Sequence, residues 1–102
     1  MLSWQAAIDQ YSHYIAFIRR LSAHTIENYQ RDLLDAAEYF HDKPPFTLTS
    51  HDIRLYISKL HRQGLASKSL QRKLSALRQL FQFFIKQRLH DANPVMGIRP
   101  PK

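Results

Sequence analysis

The chain has 102 residues, no cysteine and a formal net charge of +7 at pH 7. This length suits one domain that folds without staples, and the lack of cysteine excludes a thiol nucleophile, a redox bridge and an ordinary zinc finger. The apolar runs are too short for a membrane span, and no basic leader precedes an apolar core, so we expect a soluble, cytoplasmic protein that is not exported and has no membrane partner.

Apolar residues recur at helical spacing along the chain, which predicts an all-α fold of four helices. The helices are expected at about residues 3–20, 22–43, 49–63 and 67–88. The predicted amino-terminal caps are Ser3, Ser22 and Thr49, and the charge of Asp52, three residues after Thr49, suits the start of the third helix. Gly64 is expected to end the third helix.

The core stripes follow from the same spacing. They comprise Trp4, Ile8, Tyr11, Ile15 and Ile18; Ile26, Tyr29, Leu33, Ala37 and Phe40; Ile53, Tyr56, Ile57 and Leu60; and Leu70, Leu74, Leu77, Phe81 and Phe84. Tyr14, Phe17 and Phe83 project away from these stripes, which fits either a contact with another domain or protomer or a wider core, and the wider core is preferred.

The second helix has a polar stripe opposite its core residues. His24, Asn28, Arg31 and Asp35 lie on it, with Thr25 alongside. Because Asp35 would repel phosphate, this helix is expected to meet DNA by its amino-terminal end, where the helix dipole favours anions. An ordinary mixed polar surface is the open alternative.

The fourth helix is more one-sided. From Ser67 to Arg88 the chain has six Lys or Arg and no Asp or Glu. The side opposite its core holds Lys68, Arg72, Ser75, Gln79, Gln82 and Lys86, with Lys73 and Arg78 on the flanks. Lys and Arg neutralise phosphates, and Arg, Gln and Ser can bond base edges, whereas solvated faces usually mix charges of both signs. This face therefore favours nucleic acid.

No catalytic or metal-binding pattern accompanies these surfaces. The six histidines are scattered, no glycine-rich phosphate loop occurs, and no serine has a His and Asp partner set. The sequence predicts no catalytic residue, no metal, no cofactor and no small-molecule substrate.

Three runs resemble the amino-terminal domain of bacterial tyrosine site-specific recombinases of the XerC and XerD type. They are residues 21–33 (LSAHTIENYQRDL), residues 67–78 (SKSLQRKLSALR) with Phe81 and Phe84 following, and Asn93-Pro94 leading to Pro101-Lys102. The resemblance covers essentially the whole chain, and its motifs occur in order.

The resemblance implies a compact four-helix, SAM-like core-binding domain over residues 1–90, followed over residues 91–102 by the start of an extended interdomain linker to a catalytic domain absent from this sequence. Such a domain forms half of a clamp on duplex DNA, with its second and fourth helices near the major groove. The family's tyrosine attack on a phosphodiester needs no metal or nucleotide and belongs to the carboxy-terminal domain. The fragment itself is then not an enzyme.

The implied parent protein is a tyrosine recombinase that resolves chromosome dimers, located in the cytoplasm at the nucleoid, with sister protomers in a tetrameric synapse. The expected DNA-contacting residues are His24, Thr25, Asn28, Arg31, Lys68, Arg72, Lys73, Ser75, Arg78 and Gln79. Two alternatives stay open: a phage- or transposon-type integrase domain, and a helical module that docks an acidic protein partner.

Overall fold

The structure, a computed structural model, describes residues 2–101. Its helices are α1 Trp4–His13, α2 Ala23–Tyr39, α3 Ser50–Arg62 and α4 Ser67–Lys86. A π-helical turn follows α1, a 3₁₀ turn follows α2, and residues 2–101 contain no strand. The predicted all-α, four-helix fold is confirmed. The chain divides after Thr47 into an amino-terminal unit with α1 and α2 and a carboxy-terminal unit with α3 and α4.

The first two helices begin at the predicted caps. The Ser3 hydroxyl accepts a hydrogen bond from the backbone N–H of Ala6 over 3.1 Å. The Ser22 hydroxyl accepts one from the N–H of Thr25 over 3.2 Å. Each bond satisfies a donor that the first helical turn leaves without an intrahelical partner, which fixes where the helix starts.

The last two helices begin differently from each other. At α3, Thr49 is the predicted cap, and its Oγ1 accepts a hydrogen bond from the Asp52 N–H over 3.2 Å. Asp52 Oδ2 also accepts from the Thr49 N–H over 2.9 Å, which makes the cap reciprocal and goes beyond the predicted effect of its charge. Gly64, after the end of α3, has the positive φ of 93° that suits glycine. The cap of α4 is Ala66, whose side chain makes no hydrogen bond.

The first predicted helix does not remain α-helical to its end. Tyr14–Ile18 form a π-helical turn, in which the Arg19 N–H donates to the Tyr14 carbonyl over 3.1 Å. A π turn closes over one more residue than an α turn, so later side chains rotate relative to the core stripe. Ile18 is consequently 67% exposed, and its prediction as a core residue is wrong. Phe17 is equally exposed, whereas Tyr14 is half-buried.

The amino-terminal unit buries the predicted residues Ile8, Tyr11, Ile15 and Leu33. Trp4 also connects distant parts of this unit. Its indole Nε1 donates to the Lys43 carbonyl over 2.8 Å, and its ring stacks on Phe40 with 6.2 Å between centroids. These contacts hold the start of α1 against the end of α2.

The carboxy-terminal unit is built around α4. All five core residues predicted on α4 are buried, and Ala76, Leu80 and Phe83 are buried with them. Phe83 is 6% exposed, which confirms the wider core at this position. The rings of Phe81 and Phe84 pack edge to face with 5.3 Å between centroids.

After α4 the chain turns back along the helix. The Asn93 side-chain amide donates to the carbonyl of Arg78, in the middle of α4, over 3.3 Å. Further on, the hydroxyl of Ser67, the first residue of α4, donates to the carbonyl of Pro101 over 3.2 Å. The segment therefore runs from the carboxyl end of α4 toward its amino terminus.

The same segment is anchored by buried apolar groups. Val95 and Ile98 are 0% and 6% exposed, and the hydroxyl of Ser50 at the start of α3 donates to the Pro94 carbonyl over 2.9 Å. Residues 91–101 form no helix or strand, as expected for extended sequence, but they pack onto the carboxy-terminal unit.

Candidate nucleic-acid interface

Three of the residues predicted on the polar stripe of α2 form a hydrogen-bonded chain. The Arg31 Nη2 donates to Asn28 Oδ1 over 2.9 Å, and the Asn28 Nδ2 donates to His24 Nε2 over 3.2 Å. Their spacing of three and four residues stacks the side chains on one face of the helix. His24 and Arg31 are exposed and Asn28 is half-buried, so this face offers polar groups to solvent.

Thr25 belongs to the cap of α2. Its hydroxyl oxygen accepts a hydrogen bond from the Ser22 hydroxyl over 2.9 Å, and the residue is half-buried. Thr25 thus lies beside the chain formed by His24, Asn28 and Arg31 but hydrogen-bonds to the helix start.

The outer side of α4 carries positive charge and amide groups. From Ser67 to Lys86 the helix has no acidic residue. Lys68, Gln82 and Lys86 are exposed, while Arg72, Ser75, Arg78 and Gln79 are half-buried. Half-burial suits Arg, because its apolar stem can pack on the helix while the guanidinium reaches outward. The structure therefore keeps these residues accessible along most of the helix.

Lys73 is the exception, and its predicted place beside the outer face is wrong. It is only 7% exposed. Nine residues of α4 are buried, so the buried side spans about half of the helix circumference, and Lys73 lies within it between Leu70 and Leu77. Little of this side chain is therefore open to a phosphate.

The amino terminus of α4 has no side-chain cap, unlike the amino termini of the other three helices. Side-chain oxygens of Ser3, Ser22 and Thr49 cap α1, α2 and α3, but Ala66 has no side-chain acceptor. The first N–H groups of α4 thus receive no bond from a cap side chain, at the end of the helix where the dipole favours anions.

Positive charge in the carboxy-terminal unit extends beyond α4. Residues 48–101 contain ten Lys or Arg and two Asp or Glu, whereas residues 2–47 contain four and six. Arg54, Lys59 and Arg62 of α3 are exposed. The predicted DNA-binding surface did not include α3. In the sequence, only the overall positive charge of the carboxy-terminal half pointed to these three residues.

Among residues 2–101, no group of three or more His, Asp or Glu side chains is placed to hold a metal ion. Burial raises the pKa of the Tyr11 phenol well above its usual range, so this tyrosine stays protonated at neutral pH. None of the helices in this range has the length and hydropathy to cross a membrane.

Comparison with known proteins identifies the family. Residues 8–88 match the family described as "Phage integrase, N-terminal SAM-like domain". The chain belongs to this family. The match contains all of α2, α3 and α4, and therefore every residue predicted to contact DNA.

Two similar proteins share one name, tyrosine recombinase XerC. A protein named tyrosine recombinase XerC from Alcanivorax borkumensis is 42% identical over 95 residues, which cover 93% of this chain and 31% of that protein. The XerC of Proteus mirabilis is 38% identical over 99 residues, covering 94% of this chain and 32% of its own length. The chain thus spans about a third of these relatives.

A solved structure has a similar fold. The solution NMR structure of the domain amino-terminal to the integrase domain of a Staphylococcus haemolyticus protein superimposes with a TM-score of 0.69, covering 98% of this chain and 87% of that domain at 20% identity. The recognised family and the four-helix, SAM-like fold are therefore confirmed.

Proposed function

We propose that this chain binds duplex DNA as the amino-terminal, core-binding part of a Xer-type tyrosine recombinase. The observation that carries the proposal is α4, whose accessible side has cations and amides but no acidic residue. Duplex DNA presents closely spaced phosphates, so a helix of this kind gains affinity by releasing their counterions. Membership of the integrase family supports nucleic acid as the polyanion.

The proposed contacts divide by chemistry. Lys68, Arg72 and Arg78 neutralise phosphates, since Lys68 is exposed and the two arginines are only half-buried on α4. The remaining proposed contacts are polar groups able to bond base edges or phosphate oxygens: Ser75 and Gln79 on α4 and His24, Thr25, Asn28 and Arg31 on α2. Lys73 does not belong to the set because it is buried.

The role in a whole recombinase is also part of the proposal. We expect a parent protein whose protomers assemble as a tetramer on DNA and resolve chromosome dimers at the nucleoid. Residues 91–102 begin the linker to its catalytic domain. This proposal draws on the relatives named XerC, of which the chain spans about a third.

A competition experiment tests DNA binding. The fluorescence anisotropy of a labelled random-sequence duplex is measured with the 102-residue chain, and an unlabelled duplex or a polyglutamate peptide of equal charge is added. We expect the duplex to displace the label at concentrations at least ~10-fold lower than the peptide, because phosphate spacing as well as charge must match. Equal displacement by the two competitors contradicts DNA binding and favours docking of an acidic protein.

The expectation that this chain binds DNA without cleaving it is tested with a nicked suicide duplex followed by denaturing electrophoresis. The chain is expected to form no covalent adduct, because an unassisted phenol with a pKa near ~10 is a poor nucleophile. A protease-sensitive shifted band would place the active site within this chain.

A further inference from the structure

The hydrogen-bonded chain on α2 already occupies both polar ends of the Asn28 amide. Its Oδ1 accepts from Arg31, and its Nδ2 donates to His24. An amide nitrogen can only donate, so His24 Nε2 serves as the acceptor in this contact. The contact fixes the direction in which the Asn28 amide points.

The occupied amide limits what Asn28 can recognise. Asparagine reads adenine by using its oxygen and nitrogen together on the base's N6 and N7. Asn28 would have to break both of its present bonds to do so. It is thus poorly suited to reading a base and well suited to holding its neighbours.

Arg31, unlike Asn28, has donors that are not used within the hydrogen-bonded chain. Its contact with Asn28 uses one of the five N–H donors of the guanidinium, and the side chain is exposed. Glu27 and Asp35 lie one turn away on either side, yet among residues 2–101 the hydrogen-bond partner of the guanidinium is the neutral Asn28 amide. The guanidinium of Arg31 is therefore held in place by a neutral group.

A guanidinium that is oriented and still has donors to spare fits one base edge best. Arginine pairs with O6 and N7 of guanine in the major groove through two parallel bonds, and no other base presents two acceptors there in that geometry. Holding the side chain beforehand reduces the rotamer freedom that is lost on binding.

We propose that Arg31 selects a guanine in the DNA site and that Asn28, itself oriented by His24, is the residue that positions Arg31. This inference rests on the proposed DNA binding and adds a base preference to it. The α4 residues then supply affinity for any duplex, and the α2 chain supplies discrimination at one base pair.

The first measurement is selection of bound duplexes from a randomised library by the 102-residue chain. We expect the bound pool to show guanine at one position. A pair of duplexes that differ only there, G·C against A·T, is then compared by anisotropy, and the ratio of dissociation constants is expected to be roughly 5-fold to 150-fold in favour of guanine.

Variants of Arg31 separate base reading from simple charge. Arg31→Ala is expected to bring the ratio close to one. Arg31→Lys keeps the charge but loses the planar fork, so it should lose the ratio while weakening affinity for the unselected library less than Arg31→Ala does. Lys43→Ala is the matched control, since it removes one positive charge from an exposed site of the same unit outside α2 and should leave the ratio unchanged.

The positioning role needs its own readout. Asn28→Ala is expected to lower the ratio at least ~3-fold, a larger change than any it causes in affinity for the unselected library, while leaving the thermal unfolding midpoint close to wild type. A purely structural role would lower the unfolding midpoint and all affinities together, which would contradict positioning.

The failures are distinguishable. If the unaltered chain binds no duplex, the proposed function itself is wrong. If it binds and selects guanine but Arg31→Ala or Arg31→Lys retains the ratio, only the assignment to Arg31 is wrong. If Arg31→Ala removes the ratio and Asn28→Ala does not, the assignment of guanine selection to Arg31 is correct and the positioning role of Asn28 is wrong.

Discussion

Helices α2 and α4 carry the proposed DNA contacts in different ways. On α2 the polar residues bond to one another, and the helix also bears Glu27, Asp35 and Glu38. On α4 the accessible residues are cations and amides with no acid, on a helix that buries nine of its residues. A helix surface with cations and no acidic residue suits affinity for any phosphate backbone, whereas an ordered polar chain suits discrimination among bases. We therefore assign affinity to α4 and discrimination to α2 in the proposed DNA complex.

The largest expected effect comes from the dual role of α4 as core and surface. Phe81 is fully buried, so Phe81→Ala should lower the free energy of unfolding by about 3–5 kcal/mol. Urea unfolding followed by circular dichroism measures this, with the exposed Gln82→Ala as the control on the same helix, expected within about 0.5 kcal/mol of wild type. A loss below ~1 kcal/mol for Phe81→Ala would show that α4 is not the central core helix.

Lys73 sharpens the comparison within α4, because it is the buried cation of a helix whose other cations are accessible. Lys73→Ala should lower the free energy of unfolding by about 1–3 kcal/mol through lost packing of its stem. The salt dependence of DNA binding, measured where the variant is folded, should not change. A salt slope reduced by about 1 with unaltered stability would return Lys73 to the DNA surface.

The accessible cations should behave in the opposite way. Arg72→Ala and Arg78→Ala are each expected to weaken duplex binding by about 1 kcal/mol or more and to reduce the salt slope by about 1. Lys59→Ala on α3 is the charge-matched control, exposed but outside the proposed surface. Should Lys59→Ala weaken binding most, the docking face lies on α3.

The smallest expected effect tests the helix starts. Ser22→Ala removes the cap of α2 and should lower the free energy of unfolding by about 1 kcal/mol, whereas Ala66→Ser adds a cap to α4 and should raise it by about 0.5–1 kcal/mol. If the first N–H groups of α4 meet a phosphate, Ala66→Ser also weakens DNA binding. Unchanged binding would show that the amino terminus of α4 is not a phosphate contact.

Local signals made much of the fold predictable. The caps at Ser3, Ser22 and Thr49 depend on residues three positions apart, and the core of α4 depends on helical periodicity, so both can be read from sequence. The polar stripe on α2 was predicted from the same periodicity. Its hydrogen bonds were not, because they depend on the side-chain conformations of Asn28 and its neighbours.

The remaining features depend on packing that no local pattern encodes. Ile18 follows Tyr11 and Ile15 at α-helical spacing, and nothing in that spacing indicates the π turn that exposes Ile18. Lys73 is buried because the apolar arc of α4 is wider than its leucine stripe. Val95 and Ile98 are isolated apolar residues among residues that favour turns. No periodic pattern in the sequence therefore predicts that they are buried.

The most direct test of the account is the salt dependence of duplex binding by the 102-residue chain. With about three phosphate contacts, from Lys68, Arg72 and Arg78, the logarithm of the binding constant should fall with the logarithm of salt concentration at a slope of roughly −3. Anisotropy titrations over a several-fold range of salt measure this slope. A slope near zero would contradict the claim that the cations of α4 bind the DNA backbone.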